Sequence, residues 1–310
     1  MSADVRVLTK PAAPPTRAAD AFAQRRNVYS QHGEDGVLEW VLTKLGIGAG
    51  YFCEFGAWDG KHFSNCRYLY EKGWRGLFIE GDAARFADLA ATYAGEGRIA
   101  VVNDYVRAQG ASSLDAIFAR HGIGSLDLLS IDIDGDDLTI WRSLRSVRPA
   151  VVIIEYNPTI PFDTLYENPQ GENKGNSALA IAEHAAATGY ALVAGTASNL
   201  IFVDEARRSA DLPRLTLAQL AQTCRGSRFF FGYDGEMIVD TGAASASREY
   251  FAVPWTRFVG TQPVPKFLRG YERLQRTRLL YSLLGLMVRR PLTLLRLVRN
   301  KARRAERKAD

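Results

Sequence analysis

The residues in this chain best suited to chemistry are carboxylates that end apolar runs, several of them beside glycines. The stretch YFCEFGAWDGKHFSN, residues 51–65, leaves an apolar run at Glu54, then sets Gly56 and Gly60 around Asp59. Ser64 and Asn65 open the segment that follows. GLFIEGD ends on Glu80, and VVND ends on Asn103 and Asp104. SIDIDGDD carries Asp132 and Asp134, alternating with Ile131 and Ile133, and IIEYNP carries Glu155 and Asn157.

The first group reads as a nucleoside-binding turn. Gly56 and Gly60 allow backbone to approach a ligand where a Cβ would clash. The pattern is ExGxxxG, not the GxGxxG that wraps a pyrophosphate. Glu54 and Asp59 would repel a pyrophosphate and attract a ligand bearing an amine and a sulfonium. The N–H groups near Ser64 and Asn65 would suit that ligand's carboxylate. Glu80, at the next strand tip, is placed for two ribose hydroxyls, and Asp104 for an adenine amine. An amino acid joined through a sulfonium to a nucleoside is S-adenosylmethionine. The plain alternative is a helix-capping turn with surface acids. His62 is either a base or part of the donor pocket lining.

The second group offers hard oxygen ligands on adjacent strand tips. Asp134 and Glu155 are the catalytic candidates, and with Asn157 they form a candidate Mg²⁺ set. A metal would acidify and orient an acceptor hydroxyl. Without one, a carboxylate would act as general base. Here the plain alternative is that Asp136 and Asp137 cap the helix after them. The spacing lacks the distal Glu of an EF-hand. The long polar segment Thr159–Lys174 and the neighbourhood of Asn199 are where acceptor specificity is expected.

Positioning these groups requires alternating strands and helices. Strands are expected at Tyr51–Phe55, Gly76–Glu80, Arg98–Val102, Leu126–Ile133, Ala150–Tyr156, Tyr190–Ala194 and Leu200–Val203. Ser30 is expected to cap a helix that Gly46 ends. Asp82 is expected to cap Ala83–Tyr93, and Ser177 a helix running to Thr188. Ser112 with Asp115 reads as a capping box. Runs such as VVII at 151–154 are apolar throughout, which means strands buried on both faces in parallel βαβ units. The short link Gly195–Asn199 demands an antiparallel hairpin at the end. The fold class is therefore α/β: a Rossmann-like, seven-stranded, mostly parallel sheet with a terminal antiparallel hairpin and helices on both faces.

The chain has 310 residues, with 47% hydrophobic and 24% charged, as soluble globular proteins do. Three unpaired cysteines argue against a disulfide framework or zinc cluster. With no apolar leader at the N-terminus, a cytoplasmic location is expected. Residues 1–26 read as a disordered leader, 27–268 as the enzymatic domain and 269–310 as a tail. That tail holds 13 Lys/Arg against 3 Asp/Glu, a net +10 within a total of +5. The body is thus mildly acidic, and no nucleic-acid partner is expected. The tail's apolar stretch, Leu279–Val288, is too short to span a bilayer. Its basic, apolar-sided pattern fits an anionic membrane surface, so a peripheral position on the inner membrane face is expected.

NVYSQHGEDGVLEW, FCEFGAWDGKHFSNCRYLYEKGWRGLFIEGD and LLSIDIDGDDLTIWRSL together resemble the FkbM-type methyltransferases, over roughly Tyr29 to Asp204. The resemblance implies the class I methyltransferase fold, S-adenosylmethionine as donor, and O-methylation of a sugar, polysaccharide or glycolipid hydroxyl. It also implies that Gln31 and Ser30 belong to the donor site. Two other readings remain: methylation of a small metabolite, and a degenerate, non-catalytic binding protein.

Overall fold

The computed structural model describes residues 16–160, 162–223, 228–231, 237–240 and 287. Seven strands make one sheet: β1 (Tyr51–Phe55), β2 (Arg75–Glu80), β3 (Ile99–Asn103), β4 (Leu128–Ile131), β5 (Val151–Glu155), β6 (Tyr190–Gly195) and β7 (Asn199–Asp204). Their spatial order is β3-β2-β1-β4-β5-β7-β6. The first five run parallel, and β7 is antiparallel to both β5 and β6. All seven expected strands are present. β4 is shorter than expected at both ends, and at its carboxyl end the chain turns out of the sheet at the acidic segment. In parallel order, the carboxyl ends of β1, β2, β4 and β5 share one edge, which is where open α/β sheets bind ligands.

Strand alternation splits the apolar side chains between two faces. Phe55, Ile79, Leu129, Ile131, Val152 and Ile154 pack with α5 (Leu114–Arg120), α6 (Asp137–Ser143) and α7 (Ala178–Ala187). On the other face Phe52, Phe78, Leu128 and Ile153 pack with α2 (Glu34–Lys44), α3 (Arg67–Glu71) and α4 (Ala83–Thr92). Both faces of the central strands are therefore dry, and each helix is held by its apolar stripe.

The caps are as expected in two places. Asp82 accepts from the Ala84 and Arg85 N–H groups, and Ser177 from Ala180 N–H. Elsewhere they differ. Ser113, not Ser112, caps α5, while the Asp115 carboxylate holds the backbone N–H groups of Arg145 and Ser146. Gly33, not Ser30, stands at the start of α2. Ser30 instead donates to Asp35, whose Oδ2 also gathers the N–H groups of Val28, Tyr29 and Ser30.

The expected disordered leader is ordered over its second half. Residues Thr16–Ala23 form α1, which packs on β6 and on α8 (Leu217–Thr223). Ala21 is buried, and Arg25 donates to the Gly195 carbonyl while lying over the Phe22 ring. An Ala-rich segment with an apolar anchor thus finds a tertiary partner that composition alone does not show.

Two compact units divide the chain at Gly226/Ser227. Among the described residues of the second unit, β8 (Arg228–Phe231) and β9 (Met237–Asp240) form an antiparallel pair. Apart from Met287, the 269–310 tail lies outside the described residues. No helix among the described residues is long and apolar enough to cross a membrane.

Candidate active site

At the tip of β1, Glu54 is buried and its carboxylate accepts from Ser64 Oγ (2.9 Å), Asn65 N–H (3.2 Å) and Cys66 N–H (2.9 Å). Burial pushes its pKa up to about 7, against the pull of these donors. The Asn65 side chain donates to Ser130 on β4, and Ser64 Oγ also takes Arg67 N–H. The expectation that this helix start would hold a ligand carboxylate is therefore corrected: Glu54 already closes it, and α3 is only five residues long.

The two glycines serve the protein's own packing. Gly56 has φ +79°, and a Cβ there would fall 1.7 Å from the Asp132 carbonyl oxygen. Gly60 has φ +70°, and its Cβ would meet Tyr93 and Leu89 of the α4 region. The close neighbour expected to be a ligand is in both cases part of the fold. Gly56 is the joint through which the β1 turn sits against the β4 tip.

Asp59 holds the turn between them. Its carboxylate accepts from Lys61 N–H and His62 N–H, and pairs with His62 Nδ1 at 2.6 Å. Burial raises the pKa of Asp59, but the bonds from His62 and Lys61 prevail and lower it. Trp58 and Phe63 carry φ of +49° and +61°. Bulky residues in that region cost about 1–3 kcal/mol each and persist where the surroundings over-determine them. Here Trp58 N–H is fixed by Glu80 Oε2 at 2.7 Å.

Glu80 is buried at the tip of β2, with Oε1 taking Asp82 N–H at 2.8 Å. Each of its oxygens thus has one backbone partner. A carboxylate offers about four acceptor positions, so these two bonds leave acceptor capacity on Glu80. Asp104, half-buried at the tip of β3, pairs with Arg120 at 3.4 Å, and Asn103 donates to the Glu80 and Gly81 carbonyls. Gln31 is exposed, with its carbonyl accepting from Asn27. Among the described residues, no hydrogen bond joins it to Glu54, Glu80 or Asp104. Its turn is tied instead to the β6–β7 hairpin: Glu34 Oε1 accepts from Thr196 and Asn199.

The tips of β4 and β5 are built differently. Asp132, Asp134 and Glu155 each bring a carboxylate oxygen within 4.8 Å of the others. Asp132 and Glu155 face each other closely enough to interact directly. Burial, followed by the charges of their acidic neighbours, holds both well above the ordinary carboxylate range. Such a pair titrates as a unit. Asp134 is the exposed member; its φ is +60°, and desolvation raises its pKa while Arg85 opposes the rise. Asp137 is buried, accepts from Ile133 N–H and Gly135 N–H, and is pushed by burial to about 6. Its carboxylate shapes the turn that presents Asp134. Asp136 makes no side-chain cap bond.

Asn157 is bound into the loop that follows β5. Its Oδ1 accepts from Thr159 N–H and Oγ1, and its Nδ2 donates to the Lys174 carbonyl. These bonds make it a loop anchor. The segment between β5 and α7 has no helix or strand among its described residues and is pinned by asparagines. Asn168 bonds Lys174 N–H, and Asn176 bonds both Asn168 N–H and the Gly135 carbonyl. The last bond fastens the loop to the acidic turn.

The structure thus unites Asp134 with Glu155 and adds Asp132. The signal for Asp132 lies in the DxD alternation beside a strand end: two residues apart on a strand means one face. Asn199 stands opposite Glu155 in the β5–β7 ladder, and its Oδ1 has no hydrogen-bond partner among the described residues.

A seven-stranded sheet in this order, with the antiparallel strand inserted beside β5, is the class I methyltransferase fold, and here acids stand at four of its parallel strand tips. Residues 103–190 match the family model described as the methyltransferase FkbM domain. That match covers well under half of the chain, and the chain is read from it as an S-adenosylmethionine-dependent methyltransferase. The match runs from the end of β3 to the start of β6 and includes the acidic turn; the Glu54 and Glu80 motifs lie before it. No curated protein matches the chain. The similar solved structures include the O-methyltransferase TomG from Streptomyces achromogenes with SAM, at 18% identity over 64% of this chain and 92% of that one, TM-score 0.40. M. capricolum TrmK with S-adenosyl-homocysteine is 11% identical over 60% and 76%, TM-score 0.34. A SAM-dependent methyltransferase from Aquifex aeolicus is 12% identical over 54% and 88%, TM-score 0.34. At these levels they add nothing to the strand order.

Proposed function

We propose that the enzyme moves the methyl group of S-adenosylmethionine to a hydroxyl of a sugar, polysaccharide or glycolipid. The observation that carries the reaction type is the Asp132–Glu155 pair beside exposed Asp134. A hydroxyl must lose its proton as its oxygen takes the methyl from sulfur. A carboxylate pair raised above its usual range is a stronger base than an ordinary carboxylate and accepts that proton. S-adenosylhomocysteine leaves with the sulfur's electron pair. Glu80 is proposed to hold the ribose, and Asp104 the adenine. Asn199 Oδ1 offers an acceptor oxygen beside Glu155 for a neighbouring hydroxyl. The sugar class rests on the FkbM-type motifs.

A divalent cation is the second reading, favoured by one observation. Three carboxylate oxygens within 4.8 Å of one another match the spacing of ligands around Ca²⁺ at about 2.3–2.6 Å, and slight closure would suit Mg²⁺. Asp132, Asp134 and Glu155 would hold it, and it would acidify the acceptor hydroxyl. The test is turnover of labelled donor against a panel of glycan acceptors. Glu155→Gln should lower turnover about 10²–10⁴-fold with donor affinity intact. Loss of turnover in excess EDTA would select the metal over the base, and full activity of Glu155→Gln would contradict both. Methyl transfer to nitrogen or to a non-sugar metabolite would overturn the glycan reading.

From sequence, the +10 tail at 269–310 is proposed to draw the enzyme to anionic membrane. Full-length protein should sediment with anionic vesicles at low salt and not with neutral ones. Equal behaviour on both would contradict this.

A further inference from the structure

The turn after β1 exposes side chains that neither the fold nor the donor reading uses. Trp58 is 39% exposed and Phe63 53% exposed, although both are large apolar rings. Both occupy the left-handed backbone region. Their ring centroids lie 6.4 Å apart, and the His62 ring is 6.0 Å from Trp58. Asp59 clamps His62, and Glu80 clamps the Trp58 backbone, so the display is held from both sides. Arg85 stands 5.2 Å over the Trp58 ring and is the cation felt by Asp134. The rings therefore lie on the same sheet edge as the acidic turn, and the Arg85 charge acts on both.

We infer that Trp58 and Phe63 form a stacking platform for a pyranose ring of the acceptor, and so help set its sugar specificity. The inference rests on the proposed glycan acceptor. A pyranose presents a face of polarised C–H bonds, which matches the negative face of an aromatic ring. Its rim of hydroxyls needs donors and acceptors around that face, and His62, Arg85 and Asp134 supply them. A strained backbone that displays aromatics to water is accounted for by a ligand that covers them.

The probes are the methyl glycosides of glucose, rhamnose and N-acetylglucosamine, read by saturation-transfer NMR with S-adenosylhomocysteine present. Calorimetry with S-adenosylmethionine is the control. The wild type should transfer saturation to the C–H face of at least one glycoside. Trp58→Leu should reduce it about fivefold, Trp58→Phe less, and Phe63→Leu partly. Donor affinity should hold in all three, with unchanged unfolding midpoints. Equal glycoside binding in Trp58→Leu, or no signal from any glycoside on the wild type, would overturn the platform. A selective loss of donor affinity would place the ring against the adenine and overturn it too. A wild type that binds no donor would instead defeat the methyltransferase reading.

Discussion

The acids at the tips of β1 and β2 and those at the tips of β4 and β5 have the same chemistry and opposite environments. Glu54, Asp59 and Glu80 each accept two or three donors from the turns after β1 and β2. Asp132 and Glu155 face each other, and among the described residues no ion pair neutralises them. The first half is a preorganised frame. In the second, like charges are confined, and the cost is held as a raised proton affinity. Active sites characteristically carry such unrelieved terms, because optimising them for stability removes function.

Gly56 joins the halves, so replacing it is the harshest break. Gly56→Ala combines positive φ with a Cβ 1.7 Å from the Asp132 carbonyl. It should cost about 3 kcal/mol or more, and the unfolding midpoint should fall by many degrees. A variant melting like wild type would deny that the turns touch.

Glu54 gives the next largest effect, through pH. Its folded pKa of about 7 lies above the unfolded value of 4.5. The folded state therefore binds the extra proton, and that stability is full below 4.5 and lost as pH rises through 7. At roughly 1.4 kcal/mol per unit, the loss is about 3 kcal/mol. Denaturation at pH 5 and pH 8 should show it, with a smaller difference in Glu54→Gln. An identical pH slope in that variant would remove Glu54 as its source.

Glu80 tests the frame more gently. Glu80→Ala should weaken donor binding about tenfold to a hundredfold and stability by about 1–3 kcal/mol, since Trp58 and Asp82 N–H lose their acceptor. Unchanged donor affinity in calorimetry would take Glu80 out of the ribose site.

These contrasts also show what was legible in sequence. The strands were readable because apolar runs of four to six residues end in turn residues, and the hairpin because its link is too short for a crossover. The acids were readable as a group, since each ends a strand. Their partners were not. Whether a carboxylate meets backbone N–H groups or another carboxylate depends on which turns pack together, as at Gly56 and Asp132. Asn157 fits a ligand by type and position, while the bonds of its oxygen to Thr159 are made by the fold of the loop and have no local signal. The helix at Thr16–Ala23 depends on β6 and α8, more than 150 residues away, and no local signal announces it.

The most direct test is the unfolding midpoint of Glu155→Gln at pH 8, read beside donor calorimetry. If the β4–β5 acids are confined for chemistry, removing one charge relieves repulsion while Gln still donates to Asp132. Stability should rise by about 1–3 kcal/mol, a midpoint gain of a few degrees, with donor affinity unchanged. A midpoint that falls by several degrees would mean that Glu155 holds the fold together, and would contradict the assignment of this pair to the reaction.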